Sequence, residues 1–196
     1  MHGLRTICSD FLRFDRPPSA LPCSHGRRAQ RPRNMVVVEG LDFDEAGFFR
    51  RIAESGARAL LIGRRALVIL GLPVLTADYD FWVHVDDAAK INGALEPMGF
   101  IPSHSPDAAR GRGRYVLQND EHVDVLLARG VPTIDGIRVA FDDLWARHRT
   151  VTLRNGGLVC IPALDDLIAT KRFAARPKDS EDIRLLESLK RDGGVP

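Results

Sequence analysis

The sequence predicts an α/β or α+β domain with a helical C-terminal part. Three observations carry this reading. Helical and strand periodicities alternate from about residue 44, in the order helix, strand, helix, strand, helix, strands, and the chain closes on two helices. Its 196 residues, 44% hydrophobic and 28% charged, suffice for one globular core. No internal repeat or heptad array competes with that reading.

Met1 to about Asn34 shows neither periodicity. This stretch holds seven arginines, among them Arg27, Arg28, Arg31 and Arg33, against two acidic residues, and it lacks the continuous apolar core of a secretory signal. Arg-rich, acid-poor composition suits a transit peptide or a nucleic-acid arm. The plainer reading is a disordered extension ahead of a translation start at Met35. The domain is therefore expected over residues 35–196, with its C-terminal helical part at about 162–190.

From Met35 the pattern tightens. Asp44 is placed to cap a helix whose apolar positions are Ala46, Phe48, Phe49, Ile52 and Ala53, and Gly56 ends it. Ala57 to Ile62 reads as a short buried strand running into Gly63. A second helix follows from Arg64 to Leu70, closed by Gly71 and Pro73. A strand over about 79–85 comes next. Asp86 then caps a helix through about Pro97, with Ala88, Ala89, Ile91, Ala94 and Leu95 as its inner face. Residues 102–114, rich in Pro, Ser, Gly and Arg, read as a loop. Tyr115–Gln118 and Glu121–Ala128 read as paired strands around Asn119-Asp120. Beyond Ile134–Val139 lie a helical patch at Phe141–His148 and a hairpin of Thr150–Leu153 with Leu158–Ile161. Helices at about Ala163–Ala174 and Ser180–Lys190 complete the chain.

The formal net charge of +2 demands no polyanionic partner. The three cysteines, Cys8, Cys23 and Cys160, form neither a Cys-x-x-Cys motif nor a disulfide framework, which fits a reducing cytoplasm. No apolar run approaches a membrane span.

The chemistry gathers at Leu75-Thr76-Ala77-Asp78-Tyr79-Asp80-Phe81-Trp82-Val83. In a strand, residues i and i+2 share a face, so Asp78 and Asp80 stand side by side while Tyr79 and Phe81 turn into a core. Two adjacent carboxylates repel unless a cation lies between them, and hard divalent ions such as Mg²⁺ take carboxylate oxygens. A solvated strand end is the plainer account of such a pair. Asp124 interrupts the apolar run Val123–Leu127 and is either a solvated strand end or a third ligand on a neighbouring strand. His122 shares its face. Arg110, Arg112 and Arg114 in the 102–114 loop read either as a solvated connection or as a phosphate-binding flap beside the acidic site.

Four pieces in order then resemble the nucleotidyltransferase superfamily, in particular small bacterial members of abortive-infection and toxin–antitoxin type. They are the strand ending at Gly63 with its following helix; Thr76-x-Asp78-x-Asp80; Asp124 in a later strand; and the run Ile161-Pro162-Ala163-Leu164-Asp165-Asp166-Leu167-Ile168-Ala169-Thr170-Lys171, continued by Arg176-Pro177-Lys178-Asp179 and Asp182-Ile183. The matching pieces span about residues 58–190. The resemblance implies a mixed sheet flanked by helices. It also implies transfer of a nucleotide from an NTP to an acceptor hydroxyl, with two Mg²⁺ (or Mn²⁺) ions on Asp78, Asp80 and Asp124. Asp124 would also serve the nucleophile, and Lys171 would act as the family's C-terminal lysine. Gly63, Arg64, Arg65, Thr76, Arg176 and Lys178 would meet the nucleotide. The acceptor is expected to be RNA (tRNA first), a protein hydroxyl or a small molecule such as an aminoglycoside, with a cognate antitoxin as partner.

Two positions depart from the family pattern. Arg64 stands where relatives carry Gly or Ser, and Val74 where many carry Arg, which Arg64 or Arg65 would replace. These departures leave a second expectation open, a catalytically degenerate binding module. Trp82 two residues past Asp80 excludes an aspartyl-phosphate phosphatase, which needs Thr or Val there.

Overall fold

A computed structural model describes residues 43–154, 156–174 and 176–193. The basic stretch 1–34 and the start of the expected domain lie outside the described residues, as does Asn155 of the hairpin turn. No helix among the described residues is long and apolar enough to cross a membrane.

Helix α1 (Glu45–Glu54) begins as its sequence requires: the Asp44 carboxylate accepts the Gly47 N–H at 2.8 Å, and Glu45 sits in the first turn. Its apolar stripe buries Phe48, Phe49 and Ile52, although Ala53 is exposed. Strand β1 (Ala59–Ile62) leads into helix α2 (Gly63–Ile69), and strand β2 (Tyr79–Val83) follows.

Helix α3 (Ala88–Leu95) corrects the expected Asp86 cap. Asp87 occupies the cap position and makes no capping hydrogen bond. Its carboxylate instead accepts Arg58 Nε at 2.7 Å and the Arg58 N–H at 3.1 Å, with Lys90 Nζ at 2.8 Å. The expected loop at 102–114 also needs correction. Strand β3 (Ile101–Pro102) is followed by a helix, α4 (Pro106–Arg112), then by strand β4 (Arg114–Gln118). Ser105 accepts the Ala108 N–H, Pro106 fills the first turn, Asp107 complements the dipole, and Gly113 takes the left-handed C-terminal turn at φ 74°.

Strand β5 (His122–Leu126) completes a five-stranded sheet in the order β1-β2-β5-β4-β3. The β2–β5 pair is parallel and the other pairs are antiparallel, so the sheet is mixed. Strands β6 (Gly130–Pro132) and β7 (Arg138–Ala140) form a small hairpin where Ile134–Val139 stood out in the sequence. Helix α5 (Phe141–Ala146) precedes a second hairpin of β8 (Arg149–Thr152) and β9 (Leu158–Ile161). Helix α6 (Leu164–Lys171) stops three residues short of expectation. Helix α7 (Pro177–Arg191) starts three residues early because Pro177 fits the first helical turn.

The alternation of β2 divides two cores. Tyr79, Phe81 and Val83 join Phe48, Phe49, Leu95 and Val125 on one face. Trp82 joins Leu60, Phe141 and Leu144 on the other, where its Nε1–H donates to the Ala128 carbonyl at 2.8 Å. Asp80 lies on the Trp82 face, one pleat nearer the strand start.

Candidate functional site

The site is built on the Trp82 face. Register places Ile62 of β1 and Asp124 of β5 on either side of Asp80, so the two carboxylates are direct neighbours on parallel strands. Asp78 lies just ahead of β2, where its N–H donates to Thr76 Oγ1 at 3.2 Å. Gly63 has φ +67°, and a Cβ there would lie 2.0 Å from Asp80 Oδ2. Only glycine admits both that backbone and that approach.

Burial pushes the Asp80 carboxyl above its ordinary range, and the neighbouring Asp124 and Asp78 push it further; Lys171 and Arg176 partly oppose them. Asp124 is the most open of the pair at 55% side-chain exposure, with His122 Nε2 3.6 Å from its Oδ1.

The C-terminal helices bring cations to these carboxylates. Gly63, Arg64, Asp78, Asp80, Asp124, Lys171, Arg176 and Lys178 share one pocket of about 190 Å³. Within it the cations differ in freedom. Lys171 donates to Asp182 at 2.8 Å, and Arg64 Nε reaches the same carboxylate at 3.1 and 3.3 Å, with Glu181 at 3.6 Å. Asp182 is fully buried; burial raises its pKa, but the hydrogen bonds from Lys171 and Arg64 outweigh this and hold it below the ordinary range. Arg176 is bidentate to Asp179 at 2.8 and 3.2 Å. Lys178 is exposed and forms no ion pair among the described residues.

Two expected nucleotide contacts fall elsewhere. Arg65 lies outside this pocket: its guanidinium stacks 4.3 Å over the Tyr79 ring and pairs with Glu45 at 3.4 Å. Adjacent helical residues point about 100° apart, so Arg64 and Arg65 serve different faces of α2. Thr76 does not line the pocket and instead braces the turn before Asp78. Sequence reasoning missed Thr170, Phe173 and Ala174 in the wall, residues flanking Lys171 that carry no charge to mark them. Phe173 meets Trp82 edge-on at 5.4 Å.

As donors, three carboxylates suit a hard divalent cation, and the strain on Asp80 is the kind a cation relieves. Among the described residues, however, no group of three or more acidic, His or Cys side chains stands close enough to hold a metal ion as placed. The fit is therefore one of donor type, not of a finished cage.

No protein-family model matches the sequence, and no curated protein matches it. Solved structures do. ANT(2'')-Ia in complex with adenylyl-2''-tobramycin aligns with TM-score 0.51 and 15% identity, over 75% of this chain and 88% of that one. The solution structure of the antibiotic-resistance factor ANT(2'')-Ia aligns with TM-score 0.51 and 14% identity, over 74% and 82%. The chain shares its fold with ANT(2'')-Ia. The lincomycin-bound lincosamide antibiotic adenylyltransferase LnuA is a further match at TM-score 0.48, with 14% identity over 70% of this chain and 90% of that one. At such identities the likeness is one of fold, so the chemistry has to be argued from the side chains.

Proposed function

We propose that the chain moves a nucleoside monophosphate from a nucleoside triphosphate to an acceptor hydroxyl. The observation that carries this is the pairing of Asp80 with Asp124 across parallel strands, beside a pocket walled by Arg176, Lys178 and Lys171. Lys178, without an ion pair among the described residues, and Arg176, solvent-exposed although bidentate to Asp179, are assigned to the triphosphate. Arg64 and Lys171 are engaged by Asp182, so their part is to keep the helices in place against the carboxylates.

Asp124 is open enough to receive the proton of an incoming hydroxyl. The acceptor oxygen bonds to the α-phosphorus, the bridge to the β-phosphate breaks, and pyrophosphate leaves. Divalent ions on Asp78, Asp80 and Asp124 would supply Lewis-acid polarisation of the α-phosphate and neutralise the departing charge. Gly63 contributes by leaving room for the Asp80 carboxylate.

The engagement of Arg64 and the unfinished ligand cage favour a second reading, a nucleotidyltransferase-like module that binds without catalysis. The test is incubation with Mg²⁺ or Mn²⁺, each α-labelled NTP in turn, and total RNA, beside Asp80→Asn. Label reaching RNA or the protein itself with wild type alone supports transfer. No transfer, without metal-dependent NTP binding, supports the binding module.

A further inference from the structure

A second pocket, of about 510 Å³, opens on the other side of Asp124. Among the described residues, Asp124 alone lines both. The new walls are basic: Arg112 from the end of α4, Arg114 from the start of β4, and His104. Register sets Val116 opposite Asp124 and Arg114 opposite Leu126, so Arg114 shares the sheet face of Asp124, one pleat away. Arg112 and Arg114 are both exposed, and neither forms an ion pair among the described residues. Arg110 on the same helix differs, because it binds Asp107 at 3.0 Å and donates to the Val85 carbonyl at 3.2 Å. Two guanidinium groups that form no ion pair among the described residues share this cavity with the single Asp124 carboxylate, repel each other and gain from a further anion between them.

The triphosphate is already assigned to the first pocket, so this second cationic pocket has no donor-side task. We infer that it is an acceptor-side phosphate subsite. Arg112 and Arg114 hold a phosphate of the acceptor, and a nearby hydroxyl of the same molecule is presented to Asp124. This rests on the transferase reading above and goes beyond it by naming the acceptor's chemistry. The held phosphate is unchanged; the bond formed joins the acceptor oxygen to the α-phosphorus, pyrophosphate departs, and Asp124 takes the hydroxyl proton. A nucleic-acid strand end and a small sugar phosphate both satisfy the geometry. An amine-rich sugar such as tobramycin would face the two arginines as a like charge.

The test uses a fluorescently labelled oligoribonucleotide with a free 3'-hydroxyl, followed by anisotropy without NTP or divalent ion, with ribose 5-phosphate as competitor. Wild type is compared with Arg112→Glu/Arg114→Glu and with Arg50→Glu/Arg51→Glu, an equal charge change on exposed α1. The Arg112/Arg114 variant is expected to lose about tenfold or more in affinity for the oligoribonucleotide, and the α1 variant less than about threefold. Binding with competition by ribose 5-phosphate identifies the phosphate group itself as sufficient; binding without competition identifies a nucleic-acid backbone as the source. Direct titration with ribose 5-phosphate covers an acceptor that is small. Equal affinity of wild type and the Arg112/Arg114 variant for both probes overturns the subsite, as does tobramycin being nucleotidylated while neither phosphate-bearing probe is bound. Metal-dependent NTP binding is measured in parallel: if it persists, only the subsite has failed; if it is absent in wild type, the transferase reading fails too.

Discussion

Asp80 is held where ionisation is costly. Its folded-state pKa is raised, first by burial and then by Asp124 and Asp78. A raised carboxyl pKa means that the native state binds the proton more tightly than the unfolded chain. This contribution to stability is therefore present at low pH and lost as pH rises through the folded value. Asp80→Asn, neutral and nearly isosteric, is expected to melt higher than wild type at neutral pH while abolishing transfer. Thermal melts beside the α-labelled NTP assay check both halves; a lower melting temperature would show that the carboxylate is net stabilising. Gly63 is the complementary position. In Gly63→Ala, a side chain at φ +67° meets Asp80 Oδ2, and the cost is expected at about 1–3 kcal/mol in urea titrations, with transfer lost. A stability equal to wild type would mean that the β1–α2 turn repacks freely.

Helix α4 shows how a short element escapes its composition. Ser105 caps it, Pro106 and Asp107 fill its first turn, and Gly113 closes it, yet these residues together read as a loop. Ser105→Ala is expected to cost about 1 kcal/mol locally, a roughly fivefold faster hydrogen exchange of the α4 amides. Unchanged exchange would place the stability of the helix in its Ala109 packing alone. Elements with a strong period were legible: α1 from its apolar stripe, β2 from Tyr79-x-Phe81-x-Val83, and the β4–β5 pair from its turn. Asp80 and Asp124 lie within strands, where period 2 fixes the face each occupies, whereas Asp78 lies ahead of β2 and outside that period. What the sequence did not disclose was register between distant segments. Asp80 meets Asp124 through a parallel pairing, and no local pattern encodes it. Arg64 and Arg65 looked alike as neighbouring cations, and only the packing of α2 separates the one facing α7 from the one lying on Tyr79. Asp87 was hidden in the same way, because its task is Arg58, 29 residues away.

Across the whole molecule, Asp182 joins parts that are far apart in sequence. From α7 it accepts Lys171 of α6 and Arg64 of α2, the latter 118 residues distant. It is fully buried and depends on both cations; the buried Lys171 depends on it in turn, while Arg64 also reaches Glu181. Removing one partner of a buried pair leaves the other charge without compensation, and Asp182→Ala is expected to lose about 3–5 kcal/mol. Asp182→Asn separates charge from volume. The pairing with Lys171 and Arg64 overcomes burial and lowers the folded-state pKa, so its stabilisation is present above the unfolded value near pH 4 and is lost as pH falls through the folded value. Urea midpoints taken from about pH 5 down to about pH 3 should therefore fall more steeply for wild type than for Asp182→Asn. Parallel slopes would show that Asp182 is held by packing and not by charge. The same junction positions α6 and α7, which bring Lys171, Arg176 and Lys178 to the carboxylates. Metal-dependent NTP affinity should accordingly weaken in Asp182→Asn at pH 7 while the protein is still folded. Full affinity in a measurably destabilised variant would separate the clasp from the site and leave it a purely structural joint.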